Sequence, residues 1–145
     1  MALTQVEFHT GLADKTTFAC RLLRKAYAQG VKVVVCAAAD QLSRLDQALW
    51  TADAQGFLPH VLQRSGSGSD ALRRHTPVWL CTDPADAPHR DVLVNLGPDL
   101  VAGFDGFARV VEIVGQETDD AQAGRLRWKH YTAQRLSIRQ HTAAN

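Results

Sequence analysis

Apolar residues change their period several times along the chain, and each change marks an element. Thr4 to His9 alternates weakly between polar and apolar positions, as a strand with two unlike faces does. From Asp14 the period lengthens: Phe18, Leu22, Leu23 and Ala26 recur at helical spacing, Asp14 offers a capping oxygen to the first turn, and Gly30 supplies the stop. Lys32 to Ala39 (KVVVCAAA) is apolar without alternation, which suits a strand covered on both faces inside a parallel sheet. Asp40 then caps a second helix, in which Leu42, Leu45 and Leu49 fall at i, i+3 and i+7.

Past Trp50 the periodicity breaks. Ala54 to His60 (AQGFLPH) leads into Ser65 to Ser69 (SGSGS), which reads as a mobile surface loop too short to link two domains. Pro77 to Cys81 (PVWLC) and Asp91 to Leu96 (DVLVNL) read as buried strands, with TDPADAPHR as the loop between them. Arg109 to Val114 (RVVEIV) is a fifth strand. Asp119 to Arg139 reads as a long C-terminal helix weakened by Gly124, which costs about 1 kcal/mol relative to alanine in a helix interior. Strand alternating with helix implies right-handed crossovers, hence an α/β fold with a mostly parallel sheet of about five strands flanked by helices. There is no internal repeat.

Composition narrows the function. Of 145 residues, 46% are hydrophobic and 21% charged, and 16 Lys plus Arg against 15 Asp plus Glu leave a net charge of +1. This excludes a disordered chain, predicts one domain over residues 1–145 with a real core, and argues against general binding to a phosphate backbone. Cys20, Cys36 and Cys81 are an odd set, far apart and each among apolar residues, so they read as reduced core thiols. The first residues lack a basic segment followed by an apolar run, and no apolar stretch approaches the ~20 residues that span a bilayer. The expected setting is cytoplasmic.

Candidate chemistry is sparse. His9 to Thr17 (HTGLADKTT) places Gly11, Lys15 and Thr16 where a nucleotide-binding protein has its phosphate loop, but the glycine lies too close to the Lys-Thr pair for the Walker spacing. An ordinary capped helix start fits these residues better. None of the six histidines stands three to five residues from another, and no cysteine pair has zinc-ligand spacing, so no local metal motif exists and no cofactor is expected. Ser67 lies between glycines in a polar loop that could not hold a nucleophile in place. Nothing points to catalysis.

Two surfaces are more informative. From Ala121 to Asn145 the chain carries Arg125, Arg127, Lys129, Arg135 and Arg139 and no acidic residue. Arg125, Trp128 and Lys129 occupy i, i+3 and i+4 on one helical face. Two cations beside an indole could receive an acidic peptide with an aromatic end; alternatively, Trp128 packs inward beneath a solvated basic helix. The second surface is Trp50 with Phe57, Leu58, Pro59 and His60, either a corner of the core or an exposed anchor for a partner.

The order and spacing of these segments strongly resemble the chi subunit family of bacterial DNA polymerase III. The resemblance rests on Lys32-Val33 and Asp40, Leu45-Asp46-Gln47-Ala48-Leu49-Trp50, Phe57-Leu58-Pro59-His60, Arg90 to Leu96, Phe104 with Phe107, and Arg125 to Tyr131. It implies a three-layer, Rossmann-like accessory protein without catalytic activity that bridges two partners. One is the psi subunit of the clamp loader; the other is the acidic, phenylalanine-ended tail of single-stranded DNA-binding protein. The tail site would use Arg125, Trp128 and Lys129, with Ala121 standing at a usually basic position. The psi or helicase contacts would centre on Trp50, Phe57, Pro59 and His60. Two other readings stand beside it: a nucleotide-dependent α/β enzyme using the Gly11 to Thr17 loop, and direct single-stranded DNA binding by the basic helix.

Overall fold

The computed structural model describes residues 3–51, 58–63 and 75–143. The SGSGS segment and Phe57 lie outside them. Among the described residues seven strands form one sheet, two more than the sequence predicts: β1 (Gln5–Leu12), β2 (Val33–Cys36), β3 (His60–Leu62), β4 (Val78–Cys81), β5 (Val92–Asn95), β6 (Arg109–Gly115) and β7 (Ile138–Thr142). They lie in the order β3-β4-β2-β5-β6-β1-β7, and every pairing is parallel. Strands β2, β4 and β5 are buried at every position, as their unbroken apolar runs require.

Among the described residues, three helices and the 3₁₀ turns at Pro84–Asp86 and Phe104–Gly106 complete the layers. Helices α1 (Lys15–Ala28) and α2 (Ala39–Thr51) cover one face, packing Leu23, Leu42, Leu45 and Leu49 on Val33, Val35, Val78, Leu80 and Val94. Helix α3 (Thr118–Ala133) and the turns at Pro84–Asp86 and Phe104–Gly106 cover the other, around Phe8, Trp79, Phe107 and Tyr131. Cys20, Cys36 and Cys81 are buried free thiols. The hydrogen bond with Cys81, together with burial, holds the Cys36 thiol above its ordinary range.

The two ends of α1 follow the sequence closely. Asp14 accepts from Thr17 N at 3.1 Å, and Gly30, at φ +74°, closes the helix with Val31 N donating to Ala26 O at 2.9 Å. At α2, by contrast, Asp40 is inside the first turn and not at the cap, because Leu42 N already bonds Ala38 O.

The largest departure is at the C-terminal end. The helix expected to reach Arg139 stops at Ala133, and residues 138–142 instead form the edge strand β7. The stop is the same motif that ends α1, with Arg135 in the glycine position: Arg135 has φ +61°, its N–H donates to Thr132 O at 2.9 Å, and Leu136 N–H donates to Tyr131 O at 3.2 Å. Leu136 and Ile138 then pack on the α3-side core, which offsets the unfavourable backbone of Arg135.

Candidate functional site: a groove between the last helix and the edge strand

Helix α3 approaches the sheet closely because Gly124 has no side chain. A Cβ there would sit 2.9 Å from both methyl carbons of Val114 on β6. Gly124 is therefore a contact point between layers, and the expected weak spot in the helix is a packing requirement. The start of α3 is pinned by Asp120, whose Oδ2 accepts from Gly115 N at 2.6 Å and lies 3.1 Å from Lys15 Nζ. Its middle is held by Arg127, which is not a surface cation as its place in the basic run suggests. Arg127 Nε donates to Glu112 at 2.7 Å and Nη1 donates to Pro98 O at 2.6 Å, both beneath the helix.

Glu112 also accepts from Tyr131 OH at 2.6 Å and from Asn95 Nδ2 at 3.3 Å. Burial pushes its carboxyl up from the ordinary value, against the pull of Arg127 and these two donors. Burial and the Glu112 charge likewise raise the Tyr131 phenol. Sequence reasoning missed this buried network, although Glu112 gave a signal: a lone carboxylate inside the apolar run RVVEIV needs a cation brought to it.

With Arg127 and Tyr131 turned inward, α3 presents Ala121, Arg125 and Trp128 to a groove of about 460 Å³. Its floor is Phe8, Thr10 and Gly11 of β1 with Val114 of β6, and Gln140 of β7 closes the far side. Trp128 is half-buried, its ring 5.0 Å from that of Phe8, so it serves the core with one part and the groove with another. Arg125 is exposed. Lys129 is exposed next to Trp128 but is not among the lining residues. The groove is therefore apolar at its base, carries a cation on one wall and lacks a second cation at Ala121. Arg135 lies in the turn after α3 and Arg139 on β7, so neither belongs to the basic helix.

The second predicted surface lies at the opposite end of the sheet. Trp50, at the end of α2, is 56% exposed, and its ring stands 4.8 Å from that of His60. The His60 ring nitrogens face two oxygens, Leu58 O at 2.7 Å and Asp46 Oδ1 at 3.0 Å, which fixes the imidazole between α2 and β3. Leu58 is buried and Pro59 is partly exposed. Trp50, Pro59 and His60 thus come together around an outward-facing indole. Leu45 and Leu49 of the same motif serve the core.

The lysine of the loop considered for nucleotide is engaged within the fold. Lys15 Nζ donates to Leu96 O at 2.7 Å and pairs with Asp120, tying α1 to β5 and α3. Among the described residues no helix is long and apolar enough to cross a membrane.

Comparison with known proteins agrees with the fold and its motifs. The chain is 33% identical over 144 residues to the DNA polymerase III subunit chi of Pseudomonas aeruginosa, covering 96% of each chain. It is 29% identical over 123 residues to the subunit chi of Escherichia coli K12, covering 83% of this chain and 80% of that one. With the subunit chi of Haemophilus influenzae it shares 27% over 120 residues, 80% and 78% of the two chains. Residues 3–139 match the family described as DNA polymerase III chi subunit, HolC, and the chain belongs to that family, in which it is an accessory replication subunit and not a catalytic one.

Proposed function

We propose that the chain is a bridging subunit of the DNA polymerase III holoenzyme, working in the cytoplasm as one chi-like domain whose only chemistry is recognition. The groove under Arg125 and Trp128 holds the acidic, aromatic-ended C-terminal tail of single-stranded DNA-binding protein. The surface of Trp50, Pro59 and His60, with Phe57 beside it in sequence, holds the psi subunit of the clamp loader or a helicase that competes for the same place.

The observation that carries this reading is the cation over an apolar groove. Arg125 supplies charge-assisted contacts to carboxylates, while the Trp128, Phe8 and Val114 surfaces accept an aromatic side chain. Lys129 adds long-range attraction from the helix exterior. Ala121 at a usually basic position lowers the affinity for each tail. Several tails on one DNA-bound protein restore occupancy by raising the effective concentration.

Titration of a fluorescent tail peptide from the cognate single-stranded DNA-binding protein tests this, read by anisotropy. Saturable binding should weaken with added salt, because exposed carboxylate contacts are screened, and Arg125→Ala should lose about 1–3 kcal/mol of binding free energy. Binding that is indifferent to both salt and Arg125→Ala overturns the groove assignment. For the second surface, Trp50→Ala should abolish capture of psi and leave the tail titration unchanged.

A further inference from the structure

The strands that floor the groove carry a different group of side chains on their other face. Glu7 and His9 are two residues apart on β1, so both point to the α1 side. His141 on β7 is the register partner of His9, and the two imidazoles stack with ring centres 4.8 Å apart and 15° between their planes. Glu7 Oε2 lies 3.6 Å from His9 Nε2 and 3.9 Å from His141 Nε2. The three ligand atoms all fall within 4.8 Å of one another.

We propose that Glu7, His9 and His141 bind a divalent transition-metal ion of the zinc class, which ties β1 to β7. Two imidazoles and one carboxylate are a donor set suited to zinc and its neighbours, whereas calcium and magnesium take oxygen ligands. Bonds of about 2.0–2.2 Å at tetrahedral angles place ligand atoms roughly 3.3 Å apart. To bring both Nε2 lone pairs onto one ion a ring must turn out of the stack, and His141, 51% exposed, has room to do so. Glu7 Oε1 accepts from Arg109 Nη2 at 2.9 Å, which leaves Oε2 facing the imidazoles. An outer partner of this kind orients a metal-binding carboxylate.

The surroundings fit a structural ion of moderate affinity. The cluster opens on a groove of about 450 Å³ between β1, β7 and α1, which gives the ion an entry path and leaves a coordination position for water. Lys25, Arg109 and Arg139 also line that groove, and their positive charge weakens the binding of a cation there. No sequence motif announces the site, because its ligands meet only through strand register.

The full chain, stripped with chelator, is titrated with Zn²⁺ against a chromophoric indicator and with Co²⁺ by absorbance. One ion per chain is expected, with at least about a tenfold loss in Glu7→Gln and in His141→Gln and no change in His75→Gln, an exposed histidine elsewhere. Zinc should raise the Tm of the wild type by several degrees and leave that of His141→Gln where it was; magnesium should do neither. Circular dichroism verifies that the variants fold. Absence of saturable binding at one ion per chain, or binding that persists unchanged in both His141→Gln and Glu7→Gln, overturns the proposal.

Discussion

Arg127 donates to Glu112 at 2.7 Å with both side chains withdrawn from solvent, so the middle of α3 is attached to the sheet by an ion pair inside the core. Removing Arg127 takes away the main pull against burial, so Glu112 must either take up a proton or stay charged without its partner. Arg127→Met should therefore destabilise the protein by about 3–5 kcal/mol. The double variant Glu112→Gln/Arg127→Met, which removes both charges and keeps an acceptor for Tyr131, should be the more stable of the two. Denaturant midpoints of wild type, single and double variants measure the difference. If the single variant proves no less stable than the double, the pair is not what anchors the helix.

Gly124 makes an opposite prediction to that of helix propensity alone. In an exposed helix Gly→Ala gains about 1 kcal/mol, but here the new methyl would press on Val114. Gly124→Ala should lose roughly 1–3 kcal/mol net, as an overpacked contact does, and should weaken tail binding by pushing Arg125 and Trp128 off the groove. Adding Val114→Ala makes space and should recover part of both. A double-mutant cycle on Tm and on peptide anisotropy reads the coupling.

Arg135 holds a left-handed conformation that a side chain disfavours by about 1–2 kcal/mol. Replacing it with glycine, as at the corresponding Gly30 turn after α1, should stabilise the chain by about 0.5–1 kcal/mol in thermal melts. Arg135 lies outside the groove, so tail affinity should change little.

Acid should weaken the fold through His9. Burial, and secondarily His141, place its folded pKa below the ordinary 6.5. The unfolded chain then takes up the proton first, so stability contributed by the neutral ring is complete above pH 6.5 and is lost as pH falls toward the lower folded value. Glu112, held high by burial, gives the opposite slope above its ordinary 4.5. The His9 effect is isolated by melting wild type and His9→Gln in chelator at pH 7 and pH 5. The Tm advantage of wild type should shrink at the lower pH, and an advantage that grew would contradict this sign.

Most of the fold was legible where pattern and burial agree. The runs at Val33–Cys36 and Val92–Asn95 could only be interior strands, and Asp14 with Gly30 bounded α1 as their side chains require. Strand β7 was not legible, because Ile138-Arg-Gln-His-Thr is an exposed edge with one inward apolar residue, and the preceding turn uses Arg135 where glycine is usual. Strand β3, at three residues, is too short to establish a period. In the groove, Arg125 and Trp128 were identifiable from helical spacing, whereas Phe8, Val114 and Gln140 reach it only through the sheet order. Arg127 looked like its neighbours in a basic run, and only Glu112 distinguishes it.

The pairing of β1 with β7 also dictates when the groove can exist. Residues 6–10 lie beside residues 138–142, so its walls join segments made at widely separated times during synthesis. Until Ile138–Thr142 leaves the ribosome, β1 has one unpaired edge, an invitation to intermolecular strand pairing that a nascent chain must survive. Contacts of such long sequence separation also form slowly. A translation intermediate that holds every residue of α3 consequently still lacks the wall that Gln140 supplies, so the complete groove is a mark of completed folding.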